Sequence, residues 1–128
     1  MVWRGEGWRV IRAADELFPA FYRLILDRHV AELSDLSPAD QARCLALLVA
    51  VERALRQQLQ PTKINLAAFG NMVPHLHWHV IARFSWDSHF PQPVWGTAQR
   101  SVQPPAVQRL ACTLDQLDAA VAAALEAA

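Results

Sequence analysis

Residues 73–84 read Val-Pro-His-Leu-His-Trp-His-Val-Ile-Ala-Arg-Phe, and His75, His77 and His79 alternate there with Leu76, Trp78 and Val80. Polar and apolar residues at period two predict a strand with one buried face. Such a strand sets all three imidazoles on one side and the Leu/Trp/Val set on the other. Three of the chain's five histidines therefore line up where packing does not ask for them.

Three arrangements are open to such a row. Solvated histidines are the plainest, but histidine is a middling strand former with no packing advantage over Thr or Val, so three on one face is a poor coincidence. A metal site is the second. Side chains at i and i+2 lie roughly 6.6 Å apart along a strand and can share one zinc, whereas i and i+4, roughly 13 Å apart, cannot easily do so. Two of these histidines would then need ligands from elsewhere, with His29 and His89 available. The third is a row of imidazoles along a phosphate, one attacking and the others holding charge and orientation. Imidazole is a neutral nucleophile near pH 7 and a cation once protonated, so it suits both tasks.

The segment His75-Leu-His77-Trp-His79-Val-Ile resembles the signature of the histidine triad (HIT) family, His-φ-His-φ-His-φ-φ with φ apolar. The lead-in from Lys63 through Asn65, Gly70, Asn71 and Met72 to Pro74 looks like that family's strand and phosphate-binding loop. Arg23-Leu-Ile-Leu-Asp-Arg-His29-Val resembles its Val-Ile-Pro-Lys-x-His segment in degraded form. The resemblance spans roughly residues 8 to 96.

The bounds set by composition agree with a compact enzyme-sized domain. At 128 residues with 53% apolar content, the chain can bury a core without staples. Twelve basic and twelve acidic residues cancel, which argues against duplex DNA or an anionic membrane as a partner. Cys44 and Cys112 fall in predicted helices without ligand spacing, so a reduced pair is expected. The longest apolar run, Cys44 to Val51, is eight residues, far short of a membrane span. The N-terminus lacks the apolar stretch of a secretory signal, and a cytoplasmic location is expected.

Local signals predict an α+β fold. Trp8–Arg12 and Phe21–Leu26 read as strands, joined by a connection that includes Asp15. Ser37-Pro38-Ala-Asp40 is a helix start, with Ser37 as cap, Pro38 in the first turn and Asp40 at the positive helix end. Leu45, Leu48, Val49, Leu55 and Leu59 follow at helical spacing, and Gln60-Pro61 stops the helix. Thr62–Phe69 reads as a strand, 70–74 as a turn and His75–Phe84 as the triad strand. Antiparallel pairs of strands around one helix give an antiparallel sheet with helices on one side, and the resemblance implies the same arrangement with about five strands. Residues 85–105, with Trp86, Trp95 and many prolines, form a long irregular segment expected to cover the site or a partner subunit. Ala106–Ala128 is predicted helical, and Val107, Leu110, Leu114, Leu117 and Val121 make a seam of alternating threes and fours. The division expected is a domain over 1–105 and a helix over 106–128 packed on it or on a second copy. No GxGxxG or Walker loop occurs.

What the resemblance implies is a nucleotide hydrolase or nucleotidyl transferase that needs no cofactor or metal and acts on a nucleoside monophosphate derivative or dinucleoside polyphosphate. His77 would attack the α-phosphorus, His79 would donate to the phosphate oxygens, and His75 would support the row. Asn65 sits where the family has an amide near the ribose or bridging oxygen, and Asp15 where some members place an acid near the ribose. Gly70 and the N–H groups of the 70–73 turn suit phosphate, Asn71 replaces a frequent Gln, and Arg83 is expected to be solvated. Met72 replaces a frequent Ser or Thr, so alkyl amine leaving groups should fare worse than phosphates that leave as stable anions. The resemblance and the last seam together imply a homodimer. A nucleotide-binding module without turnover, and a metal-dependent hydrolase, are the alternatives.

Overall fold

A computed structural model describes residues 1–128. The strands are β1 (Trp3–Arg4), β2 (Trp8–Arg12), β3 (Phe21–Leu26), β4 (Lys63–Ala67) and β5 (His77–Arg83), and the helices are α1 (Pro38–Leu59) and α2 (Leu114–Ala127). All strand pairs are antiparallel, in the order β1-β2-β3-β5-β4. The fold is α+β, a five-stranded sheet with two helices. β1 has only two residues, too few for any periodic signal in the sequence.

The register sorts the side chains onto two faces. Leu24 stands opposite Trp78, Tyr22 opposite Val80 and Val10 opposite Leu24, and these join one cluster with α1 residues Leu47, Leu48, Val51 and Leu55. This is the helix side. Helix α1 starts and stops as the local signals require: Ser37 Oγ accepts from Asp40 N at 3.1 Å, and Gln60 closes the helix in the left-handed region at φ 44°. Its buried stripe runs through Cys44, Leu47, Leu48, Val51 and Leu55, whereas Leu45 is exposed. An apolar run longer than one turn does not specify by itself which third of the helix meets the sheet.

The last segment differs from its expectation. Residues 106–109 form a short 3-10 turn, and α2 begins only at Leu114. The break occurs because Thr113 caps α2, its hydroxyl accepting from Gln116 N while the Gln116 side chain accepts from Thr113 N. Cys112 thus lies outside a helix; it and Cys44 are both free thiols. The buried stripe of α2 is Leu117, Val121 and Leu125, which pack in the same core as α1. Val107 is exposed, so the predicted seam is not continuous, and Leu117, Val121 and Leu125 are buried within the chain. Polar ties fix the helix: Tyr22 Oη donates to Asp118 Oδ1 at 2.6 Å, Arg12 Nε reaches the same carboxylate at 3.0 Å, and Trp3 Nε1 donates to Glu126 at 2.6 Å. No helix is long and apolar enough to cross a membrane.

Candidate active site

The opposite face of the sheet carries His77 and His79. Their rings meet edge to face with centroids 5.2 Å apart, the contact that i, i+2 spacing on one strand produces. His75 is not part of that row. The regular strand begins at His77, because Pro74 and the bends before it keep residues 74–76 out of the ladder. The His75 ring turns toward the end of β3, where its Nε2 donates to the Leu26 carbonyl. Its Nδ1 lies 3.0 Å from His29 Nδ1. A carbonyl only accepts, so His75 carries its proton on Nε2 and receives the Nδ1–H of His29. His29 therefore joins the site through His75. The sequence offered His29 as a possible metal ligand and as the histidine of the degraded Val-Ile-Pro-Lys-x-His segment, without a link to His75; no three His, Cys, Asp or Glu side chains converge as a ligand set.

The same reasoning fixes His77. Its Nδ1 is 2.6 Å from the carbonyl oxygen of His75, so Nδ1 holds the proton and Nε2 keeps the lone pair. His75 thus acts on His77 through its backbone, not its imidazole. His79 is only 7% exposed, and its Nδ1 is enclosed without a partner. Burial, reinforced by the charges of His77 and Arg23, lowers its pKa to about 4, so the ring is neutral at pH 7.

A cavity of about 450 Å³ opens beside these rings, lined by Phe69, Gly70, Asn71, Met72, Val73, His77, His79 and Trp95. Gly70 holds φ +68°, a left-handed turn that a side chain would strain. No acceptor of the chain takes the N–H groups of residues 70–73, which leaves them free for a ligand. Met72 is 95% exposed at this rim.

Two expected residues lie elsewhere. Asn65 lines an adjoining groove that shares Phe69 and Trp95 with the cavity, and its Oδ1 accepts from Arg83 Nη1 at 2.9 Å. Its amide N–H groups are the free end. Asp15 does not line the histidine cavity; its carboxylate caps the turn before β3 by accepting from Leu17 N and Phe18 N, both at 3.0 Å.

Arg83, expected in solvent, is 2% exposed. Its guanidinium grips Asp87 through Nε at 2.8 Å and Nη2 at 3.1 Å and also donates to the Gln92 carbonyl. Asp87 further accepts from the backbone N–H groups of Phe84, His89 and Phe90. Burial alone would push this carboxyl up, but Arg83 and the three N–H donors hold it below the usual range. This knot folds residues 85–100 back over the histidine face of the same chain. Trp95 consequently packs edge-on against His79 (5.4 Å) and Phe69 (4.7 Å). The sequence named the segment as a cover but not the buried ion pair that holds it, since i, i+4 charges usually signal an exposed helix face.

The model of the HIT domain matches residues 2–86, about two thirds of the chain. The chain belongs to the histidine triad family. Among solved structures, a histidine triad protein from Bradyrhizobium japonicum shares 30% identity over 97% of this chain and 88% of its own, with a TM-score of 0.78. A second, from Marinobacter aquaeolei VT8, shares 28% identity over 98% and 88%, with a TM-score of 0.76. A third, from Sinorhizobium meliloti 1021, shares 28% over 98% and 86%, with a TM-score of 0.72. No curated relative matches the chain. The HIT assignment covers the sheet, α1 and all three triad histidines, whereas α2 lies beyond the matched residues.

Proposed function

We propose that this HIT protein is a nucleotide hydrolase or nucleotidyl transferase acting at the α-phosphate of a nucleoside monophosphate derivative or dinucleoside polyphosphate. The observation that carries the reading is the His75 carbonyl on His77 Nδ1, which leaves the Nε2 lone pair as the nucleophile. Nε2 forms an N–P bond as the bond from phosphorus to the leaving group breaks, and the leaving group departs with that electron pair. Water then attacks phosphorus, the N–P pair returns to the imidazole, and a nucleoside monophosphate and a proton are released. In transfer, an acceptor takes the place of water.

His79, neutral at pH 7, serves as a hydrogen-bond donor to the transferring group, not as a cation. The free N–H groups of the 70–73 turn supply further donors where charge develops. The Asn65 amide, oriented by Arg83, faces the adjoining groove and suits a ribose hydroxyl or a more distant oxygen.

Rapid-quench reaction with nucleoside monophosphate derivatives labelled at phosphorus tests this. An acid-labile nucleotidyl adduct on His77 is expected, and His77→Ala should lose turnover by roughly a thousandfold or more while its melting temperature is kept. Label on His75, His79 or a cysteine overturns the assignment. Binding without any adduct would instead identify a nucleotide-binding module.

A further inference from the structure

Strand β3 lies beside β5 with Arg23 directly opposite His79 and Ile25 opposite His77. Directly paired residues of antiparallel strands project from the same face, so Arg23 stands on the histidine face. Its guanidinium carbon is 5.4 Å from the Phe21 ring centroid, and that ring meets His79 edge-on at 5.3 Å. Arg23 differs from the other sheet arginines. Arg4 and Arg9 hold Asp27, Arg12 holds Asp118 and Arg83 holds Asp87. Arg23 has no carboxylate, and its Nε is enclosed with no acceptor.

Only three enclosed side-chain nitrogens in the chain lack a partner: Arg23 Nε, His79 Nδ1 and Trp78 Nε1. Two of them belong to this single cross-strand pair. Around Arg23 on that face stand Ile11, Ile25, Phe21 and His79, with no acid among them. A half-buried cation left without counter-charge costs stability that the fold has no structural reason to bear. His79, neutral at pH 7, provides no permanent charge for a phosphate, and the guanidinium beside it does.

We propose that Arg23 is a phosphate-binding residue of the histidine site, holding anionic oxygens of a nucleoside monophosphate or its derivative from the β3 side while His77 faces the phosphorus from β5. This rests on the reading of His77 and His79 as a phosphate-handling pair but requires no turnover. The planar fork of arginine can take two phosphate oxygens at once, which lysine cannot.

Isothermal titration of the full chain with AMP and with adenosine separates the phosphate from the nucleoside. In Arg23→Met the Kd for AMP is expected to rise roughly tenfold to a hundredfold, the value of a charged hydrogen-bonding partner. The Kd for adenosine should stay within about twofold. If Arg23→Met does not fold, Arg23→Lys carries the test, with a severalfold loss for AMP alone. An unchanged AMP affinity, an equal loss for AMP and adenosine, or a wild type with no preference for AMP over adenosine each overturns the proposal. Failure of the nucleotidyl-transfer reading looks different: the wild type would bind AMP through Arg23 yet form no adduct on His77.

Discussion

On the helix side of the sheet, Val10, Tyr22, Leu24 and Val80 are shut away from water, and the Tyr22 hydroxyl is matched to Asp118. On the opposite side the same strands present His77, His79 and Arg23, with enclosed nitrogens that have no acceptor and an open cavity alongside. Adjacent residues of β5 thus belong to different regimes. Val80 contributes to the core, while His79 one position earlier lines the cavity. Of the three enclosed nitrogens without a partner, only Trp78 Nε1 lies on the helix side, and the other two face the cavity side. The histidine face is also half covered, by a segment whose shape depends on one carboxylate.

The largest effect should come from that carboxylate. Asp87→Ala leaves Arg83 buried and unpaired and removes acceptors for three backbone N–H groups, so a loss of about 3–5 kcal/mol is expected in urea unfolding. The variant should also lose the packing of Trp95 on His79, visible as a change in tryptophan emission. A loss below about 1 kcal/mol would mean that the cover does not depend on Asp87.

Val80→Ala tests the helix side. It removes two buried methyl groups and should cost roughly 2 kcal/mol in urea unfolding, with kcat/KM nearly unchanged at temperatures where the protein stays folded. His77→Ala is expected to do the reverse. If Val80→Ala impaired catalysis as severely, the two faces would not be separable.

The pH dependence of stability probes His79 directly. Its folded pKa of about 4 lies below the 6.5 of an unperturbed histidine. Between these values the unfolded chain binds a proton that the folded chain refuses. Stability is therefore complete above about pH 6.5 and falls toward pH 4, by about 3 kcal/mol from this residue. His79→Gln should flatten that part of the profile in denaturant titrations at a series of pH values. A profile unchanged by the substitution would show that His79 is not held neutral by burial.

The smallest effect concerns the cavity rim. Met72 cannot donate a proton or a hydrogen bond to a departing group. Met72→Ser should shift the kcat/KM ratio of amine-leaving over phosphate-leaving substrates upward by about two- to tenfold, equivalent to about 0.5–1.5 kcal/mol. An unshifted ratio removes Met72 from any such role.

Much of this was legible from the sequence because the signals are local. Alternation at residues 76–82 sets two faces whatever else the chain does, Ser37-Pro38-Ala-Asp40 starts a helix by its own hydrogen bonds, and Gln60-Pro61 ends it. The triad with its glycine turn is local too, and it marked His77 and His79 and the family. The boundary at His75 was not legible, since the triplet pattern continues through it and only the turn geometry removes it from the strand.

Contacts between distant segments were decided by the tertiary structure alone. The seating of α2 beside α1 is tied by Tyr22 and Arg12 reaching Asp118, 96 and 106 positions away in sequence. The burial of Arg83 depended on residues 85–92 folding back to neutralise it, and an isolated arginine reads the same whether solvated or enclosed. Arg23 gives no motif at all in the sequence. Its meaning arises from β3 pairing with β5, a register that sets it against His79 across 56 residues. Periodicity fixes which way a side chain points along its own strand, but its neighbour across the ladder is chosen by the cooperative burial of the whole sheet.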